Sequence, residues 1–162
     1  GTSAGTGIVS NNHYVQVRLT ASASESTLSQ ATLAVGATND TWNVTTGDLT
    51  PAAIAFTDQA SVQTATLISS NIVQVTGIDT AVDVSVSGGG TPQYRVCSDA
   101  SCTTEVQTWG TSAGSGVVNN NYYVQLRLTS SSSGSTLLQA ALTVGATTSL
   151  NWSVTTLAND IL

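Results

Sequence analysis

Residues 121–129 read NYYVQLRLT, and residues 12–20 read NHYVQVRLT. Apolar residues take every second place in both: Val124, Leu126 and Leu128 in one, Val15, Val17 and Leu19 in the other. A period of two marks a strand with one face on a core and one in water. The wet face carries Tyr123, Gln125 and Arg127 in one copy, and Tyr14, Gln16 and Arg18 in the other. Such a strand cannot bury its apolar side alone, so each copy needs a second layer to pack against.

The repeat is longer than the strand. Sliding residues 1–41 onto 110–150, an offset of 109, matches 27 of 41 positions, and one inserted residue then brings Trp42 onto Trp152 and Val44 onto Val154. Asp48 comes onto Asp160 after a further shift, so the period is about 110 to 112 residues, the size of one small domain rather than of a solenoid unit. Alternation continues at Val73 and Val75, at Val82, Val84 and Val86, and at Ala140, Leu142 and Val144, the last repeating Ala31, Leu33 and Val35. Turn chemistry (NN, SGGG, SSSSGS, VGAT) separates these runs, and no stretch keeps an apolar stripe at helical spacing. The spacing predicts strands over 53–57, 62–67, 71–76, 82–87, 93–97, 121–129, 136–145 and 149–155, and over 12–20, 27–35 and 40–46 in the partial repeat. The fold class is all-β, an antiparallel sandwich, with Phe56, Tyr94 and Trp152 as the bulky core residues.

PAAIAFTD, SNIVQVTGI, VDVSVSGG, QYRVCSDASC, YYVQLRLTSS and LTVGATTSLNWSVTT together resemble the bacterial immunoglobulin-like repeats of very large secreted and cell-surface proteins. The resemblance spans one whole period and, through its second half, residues 1–46. It implies an immunoglobulin-like sandwich, tandem arrays, export, and a role in adhesion or in surface filaments. It brings no catalytic site.

On this reading residues 1–46 are the C-terminal half of one repeat, 47–50 a linker, 51–156 a complete repeat, and 157–162 a linker towards a next one. The half repeat then presents Val15, Val17, Leu19, Ala31, Leu33, Val35, Trp42 and Val44 on one face with nothing to bury them. Bare sheet edges and apolar patches of this kind aggregate, so a partner is expected. The order of halves is second, first, second. Exchange of halves between identical chains always leaves one second half over. The expectation is a window of a longer tandem protein, whose upstream first half covers this face; the alternative is a different partner, or edge pairing between chains.

Composition narrows the function. The chain has 7% charged residues against about a quarter in ordinary domains. It has no Lys, and its three cations are Arg18, Arg95 and Arg127, for a net charge of −6. Nucleic-acid binding lacks its basic stripe, and an anionic membrane surface is disfavoured. No apolar run is long enough for a membrane span, and no signal peptide is visible, so any export signal is removed or lies upstream. Cys97 and Cys102, in CSDASC, read as a local disulfide closing a hairpin tip, with two free thiols as the alternative. The single His13 is replaced by Tyr122 in the second copy, so no serine triad is assembled around it.

The nine carboxylates are scattered, and no calcium-loop spacing appears. Asp48 and Asp160 recur in the two linkers, which leaves inter-domain calcium open; otherwise no cofactor is expected. Three Asn-X-Ser/Thr sites, at Asn39, Asn43 and Asn151, match the N-glycosylation pattern. The stripes Tyr14-Gln16-Arg18 and Tyr123-Gln125-Arg127 read either as cross-strand pairs on a wet face or as a contact between neighbouring domains or chains. The expected function is architectural: a non-enzymatic stalk, shaft or surface filament outside the cell, with neighbouring repeats or copies of itself as partners. The alternative is a glycan- or protein-binding module.

Overall fold

The hairpin turns are the same in both copies. Asn12 and Asn121 both have positive φ (65° and 68°), as do Ser26 and Ser135 and Gly36 and Gly145. His13 N–H donates to Ser10 O and Tyr122 N–H to Asn119 O, each at 3.1 Å. What surrounds these turns differs between the copies. The computed structural model describes residues 5–111, 113–147 and 150–158, and every regular element in it is a β-strand. The chain forms two compact units, residues 1–47 and 48–162.

Among the described residues the second unit holds ten strands in two sheets. The first sheet runs β4 (Leu67–Ser69), β10 (Tyr123–Thr129), β7 (Gln93–Cys97), β8 (Glu105–Gly110), and β5 (Val73–Gln74) pairs with β10 beside β4. The second runs β3 (Gln59–Val62), β12 (Leu150–Thr156), β11 (Leu137–Val144), β6 (Val82–Gly88), β9 (Gly114–Val118). β10 is held on both edges. Tyr123 to Arg127 face Cys97 to Gln93 on one side, and Ser69 to Leu67 lie across from Arg127 to Thr129 on the other. Between β4 and β5 the ladder is bridged by Ser70, which is 5% exposed. Its N–H donates to Leu126 O and its Oγ accepts from Leu126 N–H.

The two sheets face each other across one core. Tyr94 and Val96 of β7 and Val124, Leu126 and Leu128 of β10 meet Val82 and Val84 of β6, Ala140, Leu142 and Val144 of β11, and Trp152 and Val154 of β12. All are 4% exposed or less. Burying each large side chain stabilises by about 1.5–3 kcal/mol. Trp152 Nε1–H donates to Thr57 O at 3.0 Å, so the buried indole is satisfied. Phe56 is only partly buried.

The pairing departs from the expected antiparallel pattern at one place. β3 lies parallel to β12, with Val154 opposite Gln59 and Thr156 opposite Val62. Alternation of side chains is the same for either direction, so the sequence pattern could not distinguish them. The expected strand at 53–57 is absent, although Ile54 is buried and Phe56 packs on the core. Its backbone polar groups go elsewhere: Thr57 N–H donates to Asn71 Oδ1, and Thr57 O accepts from Trp152. The expected strand 62–67 is split by a turn containing Ala65 at φ 50°. β8 and β9 were not expected, because neither alternates; Val106 is exposed, and β9 contains Gly114 and Gly116.

The first unit contains one antiparallel hairpin, β1 (Leu28–Val35) with β2 (Thr38–Thr45), in continuous register from Leu28↔Thr45 to Val35↔Thr38. Its latch repeats that of β11–β12. Thr27 N–H donates to Thr46 Oγ1, and Thr46 Oγ1–H donates to Ser24 O, as Thr136 and Thr156 do with each other and with Ser133 O. The strand expected over 12–20 is absent. Its counterpart becomes β10 only because β4, β5 and β7 lie alongside, and a strand's backbone groups need such neighbours. Of the residues expected as a linker, Asp48 and Leu49 bond within the second unit: Asp48 O accepts from Asp79 N–H at 2.9 Å, and Leu49 O from Ala146 N–H at 3.2 Å.

A matched pair of substitutions separates the two environments. Leu142→Ala is expected to destabilise the second unit by about 2–5 kcal/mol in urea unfolding, whereas the counterpart Leu33→Ala leaves that transition unchanged to within about 0.5 kcal/mol.

Candidate functional site

Two surfaces stand out. The first is the outer face of the β4-β10-β7-β8 sheet. Register places Gln125 opposite Arg95 and Arg127 opposite Gln93, a reciprocal arrangement of the same two residue types. Arg95 Nε–H and Nη2–H both donate to Gln125 Oε1 (2.9 and 2.6 Å), and Arg127 Nε–H donates to Gln93 Oε1 at 2.7 Å. Gln125 passes the chain on, donating from Nε2 to Ser70 O at 2.7 Å. Arg95 Nη1 completes an ion pair with Glu105 Oε1 at 2.9 Å.

Both guanidinium groups stack on Trp109 of β8, with Cζ 4.9 Å (Arg95) and 4.3 Å (Arg127) from the ring centroid. Two of the chain's three cations therefore meet one indole. Each such contact is worth about 0.5–2 kcal/mol, depending on how dry it is. The hydrogen bond from Arg95 holds the Glu105 carboxyl below its ordinary value.

Sequence reading picked out Tyr123, Gln125 and Arg127 but missed Gln93, Arg95, Glu105 and Trp109. A signal was present: QYRVC carries Gln93 and Arg95 in the order that an antiparallel register sets against Arg127 and Gln125. In the first copy Tyr14, Gln16 and Arg18 are exposed, and residues 14–20 pair with no strand.

The second surface is the apolar face of the first unit. Each of its eight residues has a counterpart in the second unit that is 1% exposed or less: Val124, Leu126, Leu128, Ala140, Leu142, Val144, Trp152 and Val154. None of the eight is buried in the first unit. Val15 is 47% exposed, Val35 45% and Trp42 48%, while Val17, Leu19, Ala31, Leu33 and Val44 are half-buried. The glycines of the VGAT turns give the same contrast. A Cβ at Gly145 would stand 2.2 Å from Leu49 O, whereas one at Gly36 would meet nothing within 4 Å.

The β7–β8 turn is a third feature. Cys97 and Cys102 form a disulfide across it. Asp99 caps the same turn, accepting from Ser101, Thr103 and Thr104 N–H at 3.0, 3.2 and 2.7 Å. These bonds, that from Thr104 first, pull its carboxyl down to about 2. Asp48 Oδ1 accepts from Thr50 N–H at 2.9 Å; Asp160, its partner in the calcium reading, lies outside the described residues. Among the described residues no three His, Cys, Asp or Glu side chains gather in one place.

No family model, no curated protein and no solved structure matches this chain.

The depressed Asp99 carboxyl makes a pH prediction with a definite sign. Its folded value lies below the unfolded 3.8, so its contribution is present above about pH 4 and is lost as pH falls towards about 2. Asp99→Asn is expected to flatten this acid limb while leaving the limb above pH 5 parallel to that of the parent, read by denaturant unfolding at a series of pH values.

Proposed function

We propose that this chain is a structural repeat of an extracellular surface filament, stalk or adhesin shaft, built from immunoglobulin-like sandwiches and acting by domain repetition and chain–chain packing. One observation carries the reading. A stretch of 46 residues, about half of a domain-length period, occurs twice, and most of what the two copies share is framework: the alternating apolar positions, the positive-φ turns and the Thr latch. Duplication of a framework without a duplicated reactive group suits a protein whose output is length and stiffness.

The strand order supports the immunoglobulin-like part. β4/β5-β10-β7 corresponds to the B-E-D sheet of that fold, and β12-β11-β6 to its G-F-C sheet. β3, parallel to the last strand, fits an edge strand of the second sheet. Two features depart from the pattern: β8 and β9 are inserted between the D and E counterparts, and the disulfide closes a local turn rather than joining the sheets. Extracellular placement is supported by that disulfide, and no helix among the described residues is long and apolar enough to cross a membrane. The reading is non-enzymatic and needs no cofactor.

A second reading, a glycan- or protein-binding module, is favoured by Trp109 in contact with two guanidinium groups on an outer sheet face. Buried Trp152 contributes nothing to it. The framework reading ranks first because the Arg and Gln groups already satisfy one another.

Antibodies raised against the chain test the proposal on the source cells. Immunogold label on surface fibres, together with a reduced, denatured mass far above 16.4 kDa, is the expected result. Label confined to the cell interior overturns it, as does a 16.4 kDa species that forms no assembly.

A further inference from the structure

We infer that residues 5–46 are the acceptor half of a domain, completed by a segment of the 48–109 type joined on the N-terminal side of residue 1 in the same polypeptide. The inference deepens the tandem-repeat reading and rests on it. In the second unit that half supplies both edges of β10, the neighbour of β11, and the parallel neighbour of β12. The first unit has the same hairpin, the same turns and the same eight apolar positions, without those neighbours.

The register of the missing half can therefore be written down. Val15, Val17 and Leu19 would meet the counterparts of Val96, Tyr94 and Ile68, as Val124, Leu126 and Leu128 do. Trp42 Nε1–H would donate to the carbonyl that corresponds to Thr57 O. The Gly36 turn would receive the carbonyl that corresponds to Leu49 O, for which Gly145 makes room in the second unit. Residues 14–20 would become a strand.

Pairing and connectivity in the second unit both point to the same chain as the source. A second copy cannot donate its own first half without baring an equal face on itself, because residues 59–97 are already paired with β10, β11 and β12 in each chain. A covalent connection is also short: in the second unit β8 ends at Gly110 and β9 begins at Gly114, so the first half passes directly into the second. A half tethered in this way is present at millimolar effective concentration, which separate chains do not reach.

The test adds a second copy of residues 48–109 directly before Gly1 of the full chain and follows amide exchange of residues 14–20. Exchange slower by roughly a hundredfold or more than in the 162-residue chain is expected, approaching that of residues 123–129. A companion protein carries Tyr94→Asp in the added copy alone. It should lose the protection of 14–20 while 123–129 keep theirs. Unchanged exchange of 14–20 on addition of the first copy overturns the inference. So does protection that survives Tyr94→Asp, or protection of 14–20 already present in the 162-residue chain through self-association. These outcomes are read on purified chains, so they stand apart from where the protein resides in its source.

Discussion

The ladder on both edges of β10 is the constraint on which the second unit depends. Its backbone bonds to β7 on one side and to β4, β5 and Ser70 on the other, while Val124, Leu126 and Leu128 point into the core. Remove either neighbour and the strand loses the partners of its N–H and C=O groups along with the cover over three buried side chains. Residues 14–20 display that state, since a nearly identical sequence without paired strands on its edges has no strand at all. Alternation is thus a statement about what a segment will do when partnered. It does not make the segment fold by itself.

This separates what was legible in the sequence from what was not. Positive-φ Asn, Ser and Gly turns, the β1–β2 and β11–β12 hairpins, and the Thr latches depend on residues within about two dozen positions of one another, and they recur faithfully in both copies. The all-β class, Tyr94 and Trp152 in the core, and most strands followed from the same local signals, whereas Phe56 is only partly buried. The parallel setting of β3 did not, because it is decided by where the chain re-enters beside its own last strand. Residues 53–57 kept the alternation of a strand while Asn71 and Trp152 took its backbone bonds. β8 and β9 carry little alternation, since β8 exposes Val106 and lays Trp109 under two guanidinium groups.

The outer face of the first sheet explains how a domain with so few charges keeps an ordered surface. Three Arg and no Lys leave little room for ion pairs, and among the described residues one bridge, Arg95–Glu105, is formed. Order comes instead from Gln and Arg that exchange hydrogen bonds across strands and from an indole that receives both cations. Exposed ion pairs contribute little and weaken with salt; amide–guanidinium bonds and stacked rings depend less on either. In the first copy the Tyr14, Gln16 and Arg18 side chains keep the composition of this face without its order.

The parallel pair β3–β12 decides how the second unit would respond to a pull on its ends. The chain enters through residues 48–52, which are tied to Asp79, Ala146 and Thr76, and then runs along β3 in the same direction as the strand by which it leaves. Opposed pulls on the two ends therefore slide β3 past β12, and the bonds between them are loaded side by side rather than opened one after another. Sliding requires several bonds to yield together, so this geometry resists extension more than a terminal hairpin of the same length would.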